Sequence, residues 1–150
     1  MAKKIDLTQI RYSGRRISPG NANMRAVADA AALFNVPAFR MQSRTFTVKG
    51  RGGADRPMFI GGWVDDCGRQ RTKGMSDYLL TPQITISGVL RPVKVCVALW
   101  VECKAGRDEL SQDQMDFRDY VTKAGAFWIC CINSCEELLE WFEDFGVVRR

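Results

Sequence analysis

Residues 92–104 read PVKVCVALWVECK, the segment of the chain that is most informative about its fold. From Val93 to Val101 every residue except Lys94 is apolar, so a strand formed here is apolar on both of its faces. Strands of this kind lie in the middle of a sheet that is covered on both sides. The stretch therefore predicts a central strand, over residues 92–103, in a sheet flanked by helices.

Helices and further strands are predicted on either side of it. Helical spacing of apolar residues predicts a first helix of about 14 residues from Asn21. Two capping boxes, Ser111 with Gln114 and Ser134 with Glu137, predict the starts of two more helices. A β-α-β connection requires parallel strands, so we expect the last strand to lie parallel to the central one. The remaining strands are predicted at residues 45–48, 58–64, 77–81, 83–87 and 127–132. The fold class is therefore α/β, a mixed sheet flanked by helices.

The length of 150 residues suits one domain with a single core. We expect residues 1–20 to form a basic arm and residues 21–150 to form that domain. No apolar run approaches the roughly 20 residues of a membrane span, and the first residues lack the apolar core of a signal peptide. We therefore expect no membrane partner and a protein that stays in the cytosol where it is made.

The amino-acid composition limits the catalytic groups and metal sites that the protein can have. The chain contains no His, which removes His general bases and Cys/His zinc sites from consideration. Any catalysis must use carboxylates, Lys or a metal-bound water. Residues 1–75 carry 14 Lys and Arg against 5 Asp and Glu, whereas residues 76–150 carry 8 against 12. The basic first half suits a polyanion, although it could equally serve solubility alone.

The central strand ends in a charged pair. Strand side chains alternate, so Glu102 and Lys104 point to the same face. Asp77 follows a glycine-containing segment, Lys73-Gly74-Met75-Ser76, and could join them, although an isolated Asp is also common in turns. A hard cation such as Mg²⁺ could then take Asp77, Glu102 and the Cys103 carbonyl as ligands, while Lys104 orients or deprotonates the attacking water. The alternative is a strand that simply ends in water.

These motifs occur in an order that resembles a known family. The order is residues 73–77, the apolar strand into residues 102–104, Gly106, the helix start with Gln114, and Gly125 before an apolar strand. Over residues 38–145 the chain resembles the VRR-NUC (virus-type replication-repair nuclease) branch of the PD-(D/E)XK nucleases. The resemblance implies an α-β-β-β-α-β-α core, Mg²⁺ or Mn²⁺ at Asp77 and Glu102, a catalytic Lys104, and Gln114 completing the site.

The resemblance also implies a partner and a cellular setting. Stand-alone relatives of this size resemble phage proteins that dimerise and cut branched DNA such as Holliday junctions. We therefore expect a homodimeric DNA endonuclease in the cytosol of a bacterium or a phage-infected host, with no small-molecule cofactor. Open alternatives are a binding or inhibitory module that has lost cleavage, and a monomeric nuclease for flaps or single strands.

One position departs from the family pattern. The family has a Glu on the first helix that reaches toward the metal, whereas the only acid from Asn21 to Phe34 is Asp29, and Asn23 or Met24 stands nearer the expected place. The number of metals is therefore open. Gln114 has a second explanation as well, because its capping box could account for it without any chemistry.

The remaining expectations concern surfaces. Basic residues flank the proposed site in sequence and could contact DNA phosphates. The glycine-rich segment 50–56 could embrace a duplex or form a solvated hairpin tip, and apolar positions over residues 138–145 could form a dimer interface. The predicted DNA contacts are Arg40, Arg44, Lys49, Arg51, Arg56, Arg69, Arg71 and Lys73.

Overall fold

A computed structural model describes residues 19–41, 44–49, 55–60, 62–65, 67–71, 73–87 and 91–149. The helices in this part of the chain are α1 (Pro19–Leu33), α2 (Gln112–Lys123) and α3 (Glu136–Asp144). The strands are β1 (Ala38–Arg40), β2 (Arg44–Lys49), β3 (Asp55–Ile60), β4 (Trp63–Val64), β5 (Gln70–Arg71), β6 (Tyr78–Leu80), β7 (Gln83–Ile86), β8 (Val93–Cys96), β9 (Leu99–Lys104) and β10 (Phe127–Ile132).

The largest sheet in the described residues has the strand order β1-β6-β9-β10. β6 is antiparallel to both β1 and β9, whereas β10 is parallel to β9, so the sheet is mixed. The parallel pairing of the last strand with the central one is confirmed. The helices and the strands of this sheet follow one another as α-β-β-β-α-β-α. The order agrees with the expectation, although β1 was not among the predicted strands.

Helices cover both faces of this sheet. On one face Leu99 and Val101 of β9 are fully buried in a core that also contains Val27 of α1 and Phe142 of α3. On the other face the ring of Trp100 packs edge-on against Phe117 of α2, with their centroids 5.0 Å apart. Alternate residues of β9 therefore belong to two different layers, as its apolar sequence predicted.

The predicted central strand is wrong in its first half. Residues 93–96 form β8, which pairs with β7 in a separate two-stranded ribbon, and only residues 99–104 enter the large sheet. Val93 is 47% exposed, whereas Leu99 is fully buried. Apolar residues predominate in both halves of the run, and tertiary packing, which the local sequence does not encode, separates them.

Two predicted helix starts and one suggested interface are corrected. α1 begins at Pro19, because proline fits the first turn of a helix, so residues 19–20 leave the predicted arm. Residues 1–18 lie outside the described part. The capping box at Ser111 is confirmed, but α3 has Cys135 at its N-cap with no side-chain hydrogen bond, so the second capping box is wrong. Leu138, Trp141 and Phe142 of α3 are buried in the core, so these three side chains are not available for the dimer interface suggested over residues 138–145.

Candidate functional site

Strand register brings the predicted acidic residues together. Tyr78 is opposite Val101 in the β6–β9 pair, so the next position along places Asp77 opposite Glu102. Directly opposite residues in an antiparallel pair lie on the same face of the sheet. Lys104 lies two residues after Glu102 and shares that face. Asp77, Glu102 and Lys104 therefore all face the layer that contains α2.

Asp77 is hydrogen-bonded to the neighbouring strand β9. Its Oδ2 accepts a hydrogen bond of 2.8 Å from the backbone N–H of Cys103. Burial raises the pKa of Asp77 above its ordinary value, while the Cys103 hydrogen bond and the charges of Lys104 and Arg40 act in the opposite direction. The hydrogen bond fixes one carboxylate oxygen in place beside the end of β9.

Glu102 is the most unusual residue of the site. It is only 3% exposed. Its Oε1 accepts from Gln114 Nε2 and lies 3.4 Å from Lys104 Nζ, whereas its Oε2 is buried and has no hydrogen-bond partner among the described residues. Burial, followed by the charge of Asp77, raises the pKa of Glu102 to about 7, against the opposing effect of Lys104. The carboxylate is held in place by one oxygen only.

Lys104 and Gln114 complete the group. The Lys104 ammonium donates a hydrogen bond of 2.8 Å to Gln114 Oε1, and its side chain is 13% exposed. The same Oε1 accepts from the backbone N–H of Ser111 at 3.0 Å, as the capping box requires. The capping explanation of Gln114 is therefore confirmed, and the same side chain also contacts both charged groups.

Two residues of the segment before Asp77 support the site through contacts that the sequence did not predict. Gly74 has φ +89°, and a Cβ added there would overlap the backbone oxygen of Asp113 in α2. Ser76 is 1% exposed and accepts a hydrogen bond of 2.9 Å from the indole N–H of Trp128. They hold the segment before Asp77 against α2 and β10. Contacts between residues this far apart in sequence leave no local pattern.

Asn23 of α1 approaches the site from the other layer. Its Nδ2 donates to the backbone oxygens of Lys104 at 2.8 Å and of Cys131 at 2.7 Å. The first helix thus directs an amide, not a carboxylate, to the ends of β9 and β10.

The donor set fits a hard divalent cation. Mg²⁺ needs one or two carboxylates, with the remaining positions taken by water and substrate phosphate. The described residues hold no cluster of three or more His, Cys, Asp or Glu side chains suited to a metal, so a cation here would depend on Asp77, Glu102 and the Cys103 carbonyl. A bound cation would neutralise the two carboxylates and give the buried Glu102 Oε2 a partner.

The predicted DNA contacts differ in their exposure, in their ion pairing, and in whether the structure describes them. Arg40, Lys49, Arg69 and Lys73 are exposed. Arg40 lies opposite Tyr78 in the β1–β6 pair, and Tyr78 directly follows Asp77, so Arg40 is near the site. Arg71 is already ion-paired, 2.6 Å from Asp116 Oδ2. Arg51 and the side chains of Arg44 and Arg56 lie outside the described residues.

Within the part of the chain that the structure describes, no helix is long and apolar enough to cross a membrane. Comparison with protein-family models, with curated proteins and with solved structures finds no match to this chain.

Proposed function

We propose that this protein is a metal-dependent nuclease that hydrolyses DNA phosphodiester bonds. The observation that carries the proposal is the convergence of Asp77, Glu102, Lys104 and Gln114 on one face of the sheet, where one oxygen of Glu102 is buried and has no hydrogen-bond partner in the described part of the chain. A strand that simply ended in water would not bury its carboxylate to 3% exposure.

Asp77 and Glu102, with the Cys103 carbonyl, would hold Mg²⁺ or Mn²⁺. Because Asp77 Oδ2 is engaged by the Cys103 amide, its Oδ1 is the oxygen offered to the cation. On Glu102 the oxygen offered is Oε2, since Oε1 is engaged by Gln114 and Lys104. When bound, the cation supplies Lewis-acid chemistry and stabilises negative charge on the phosphate.

Lys104 would orient the reacting water and the scissile phosphate. Its ammonium is fixed between Gln114 Oε1 and Glu102 Oε1, which leaves one of its three N–H donors for a ligand. Gln114 holds both charged groups at a set distance from α2. Such preorganisation lets catalytic groups act without rearranging when the substrate binds.

The order of elements and the residue motifs together support a PD-(D/E)XK core of the VRR-NUC type. The α-β-β-β-α-β-α order places the Glu102-Cys103-Lys104 triplet at the end of the third strand, next to a parallel fourth strand. The substrate we propose is branched DNA, cut by a homodimer with paired sites. The exposed basic residues Arg40, Lys49, Arg69 and Lys73 support a polyanionic substrate.

The test is cleavage of a labelled four-way junction, a flap, a single strand and a linear duplex, with Mg²⁺, Mn²⁺ or EDTA. We expect metal-dependent cutting of the junction that Lys104→Ala abolishes. Lys94→Ala is the matched control, because Lys94 is exposed on β8 and belongs to neither the site nor the proposed DNA contacts. Cutting in EDTA, or equal cutting by Lys104→Ala, would overturn the proposal.

A second candidate is a DNA-binding module of the same fold that does not cut. It is favoured by Asn23, because α1 directs an amide to the strand ends where the resemblance leads one to expect a carboxylate. Salt-sensitive junction binding without cutting under either metal would select this alternative. Preference for the flap or single strand, with a monomeric mass in solution, would select the monomeric nuclease.

A further inference from the structure

Asn23 connects α1 to the ends of two adjacent parallel strands. One amide nitrogen donates to the backbone oxygens of both Lys104 and Cys131, residues 81 and 108 positions away in sequence. The residue is 3% exposed, so water cannot replace these bonds. The contact joins the helix to the strand position that carries the proposed catalytic lysine.

The orientation of this amide is determined by its partners. Both partners are carbonyl oxygens, which only accept, so the nitrogen of the amide must face them. Its Oδ1 then remains buried with no hydrogen-bond partner among the described residues. Leaving a buried oxygen unpartnered is unfavourable, so the two donated bonds are the reason for an Asn at this position.

The Lys104 carbonyl is held from a second direction. It also accepts a hydrogen bond of 2.9 Å from the backbone N–H of Asn133, which follows β10. The side-chain oxygen of Asn133 accepts in turn from the N–H of Gly106. Asn23 and Asn133 together form what we call the asparagine clamp. The clamp fixes the backbone of Lys104, while Gln114 and Glu102 fix its ammonium.

We propose that Asn23 is a positioning residue for Lys104, an inference that rests on the proposed nuclease function. The amide keeps the end of β9 in place, so that the Lys104 side chain meets Gln114 and Glu102 in one geometry. Asp cannot substitute, since an ionised carboxylate has no hydrogen to donate to either carbonyl. Asn23 itself does not contact the DNA or the metal.

The test compares Asn23→Asp, Asn23→Ala and Val27→Ala with wild type. Asn23→Asp preserves shape but removes both donated bonds, and Asn23→Ala serves if the Asp variant does not fold. Val27→Ala is the matched control, because Val27 is fully buried on the same helix and the change weakens packing while the clamp remains. Two quantities are measured: single-turnover junction cleavage, and the rate at which Lys104 is acetylated, relative to exposed Lys94, by mass spectrometry.

For both Asn23 variants we expect a fall of about 10- to 100-fold in the maximal cleavage rate, with little change in the DNA concentration at half-maximal rate. We also expect Lys104 to become several-fold more reactive toward acetylation, because its ammonium leaves Gln114. Val27→Ala should lower thermal stability and leave both quantities near wild type.

The inference is overturned if the Asn23 variants match wild type in Lys104 reactivity, or if Val27→Ala changes it equally. It is also overturned if the Asn23 variants lose DNA affinity but keep the maximal rate. If wild type cuts no substrate with either metal, the nuclease proposal fails. Lys104 reactivity still decides in that case whether the clamp positions the lysine.

Discussion

The ionised form of Glu102 destabilises the folded protein, although the proposed function requires it. A carboxylate that is 3% exposed would be more stable if it were protonated, and the nearby Asp77 charge adds to this effect. Lys104 and Gln114 compensate for only one of its oxygens. Residues kept in an unfavourable state of this kind are typical of functional sites.

The raised pKa of Glu102 predicts how stability depends on pH without metal. Its pKa is about 7 in the folded protein and ordinarily 4.5, so between these values the folded state keeps a proton that the unfolded state releases. The free energy of unfolding should therefore fall as pH rises through this range, by about 1.4 kcal/mol for each pH unit between the two pKa values. Urea unfolding from pH 4 to 8 in EDTA measures the fall.

Glu102→Gln cannot ionise and should show a much flatter profile, with higher stability than wild type above pH 7. The matched control is Glu140→Gln, since Glu140 is exposed on α3. Equal slopes for wild type and Glu102→Gln would contradict the prediction.

At the scale of elements, the first turn of α2 combines capping and site chemistry in Gln114. Ser111→Ala removes only the bond from the Gln114 N–H to the Ser111 hydroxyl. It should lower the free energy of unfolding by about 1 kcal/mol and leave cleavage near the wild-type rate.

Gln114→Ala should lower stability by a comparable amount and also reduce cleavage, by at least about 10-fold, because Lys104 and Glu102 lose their common partner. Chemical denaturation and junction cleavage measure the two effects. Equal cleavage by the two variants would mean that Gln114 is only a cap.

The loop before β6 depends on the absence of a side chain at Gly74. Gly74→Ala combines a left-handed φ with a Cβ that overlaps the Asp113 oxygen. Gly68→Ala is the matched control, since its φ is +74° and nothing lies within 4 Å of the added Cβ. The control should lose about 1–2 kcal/mol of stability.

Gly74→Ala should lower the free energy of unfolding by roughly 1–3 kcal/mol more than Gly68→Ala does, because the added Cβ overpacks the contact with α2. It should also abolish cleavage, because the Asp77 segment moves away from α2. Thermal unfolding and junction cleavage test this. Equal losses of stability in the two variants would show that the contact with α2 is unimportant.

Local sequence predicted some of these elements and missed others, for physical reasons. Alternation along β9 placed Glu102 and Lys104 on one face, and the capping box located the start of α2. Neither pattern depends on distant residues. The break between β8 and β9, the contact of Gly74 with Asp113, and the bonds of Asn23 to two strand ends all depend on packing across the fold.

At the scale of the whole molecule, the basic first half of the chain predicts salt-sensitive DNA binding. Lys73 is exposed in the segment that leads to Asp77. If Lys73 contacts one phosphate, Lys73→Ala should weaken junction binding and reduce the slope of log affinity against log salt by about one. Lys94→Ala should leave that slope unchanged. A junction-binding titration over a range of salt concentrations measures both, and identical slopes for wild type and Lys73→Ala would remove Lys73 from the proposed contacts.

Asp77 and Glu102 are proposed to form a divalent-cation site. The most direct test is a Mn²⁺ titration followed by electron paramagnetic resonance, with wild type, Asp77→Asn, Glu102→Gln and the exposed control Glu140→Gln, each with uncut junction DNA in Ca²⁺-free buffer. We predict a saturable site in wild type and Glu140→Gln that is lost or strongly weakened in the other two variants. Equal Mn²⁺ binding by all four proteins, or none by wild type, would contradict a cation site at Asp77 and Glu102.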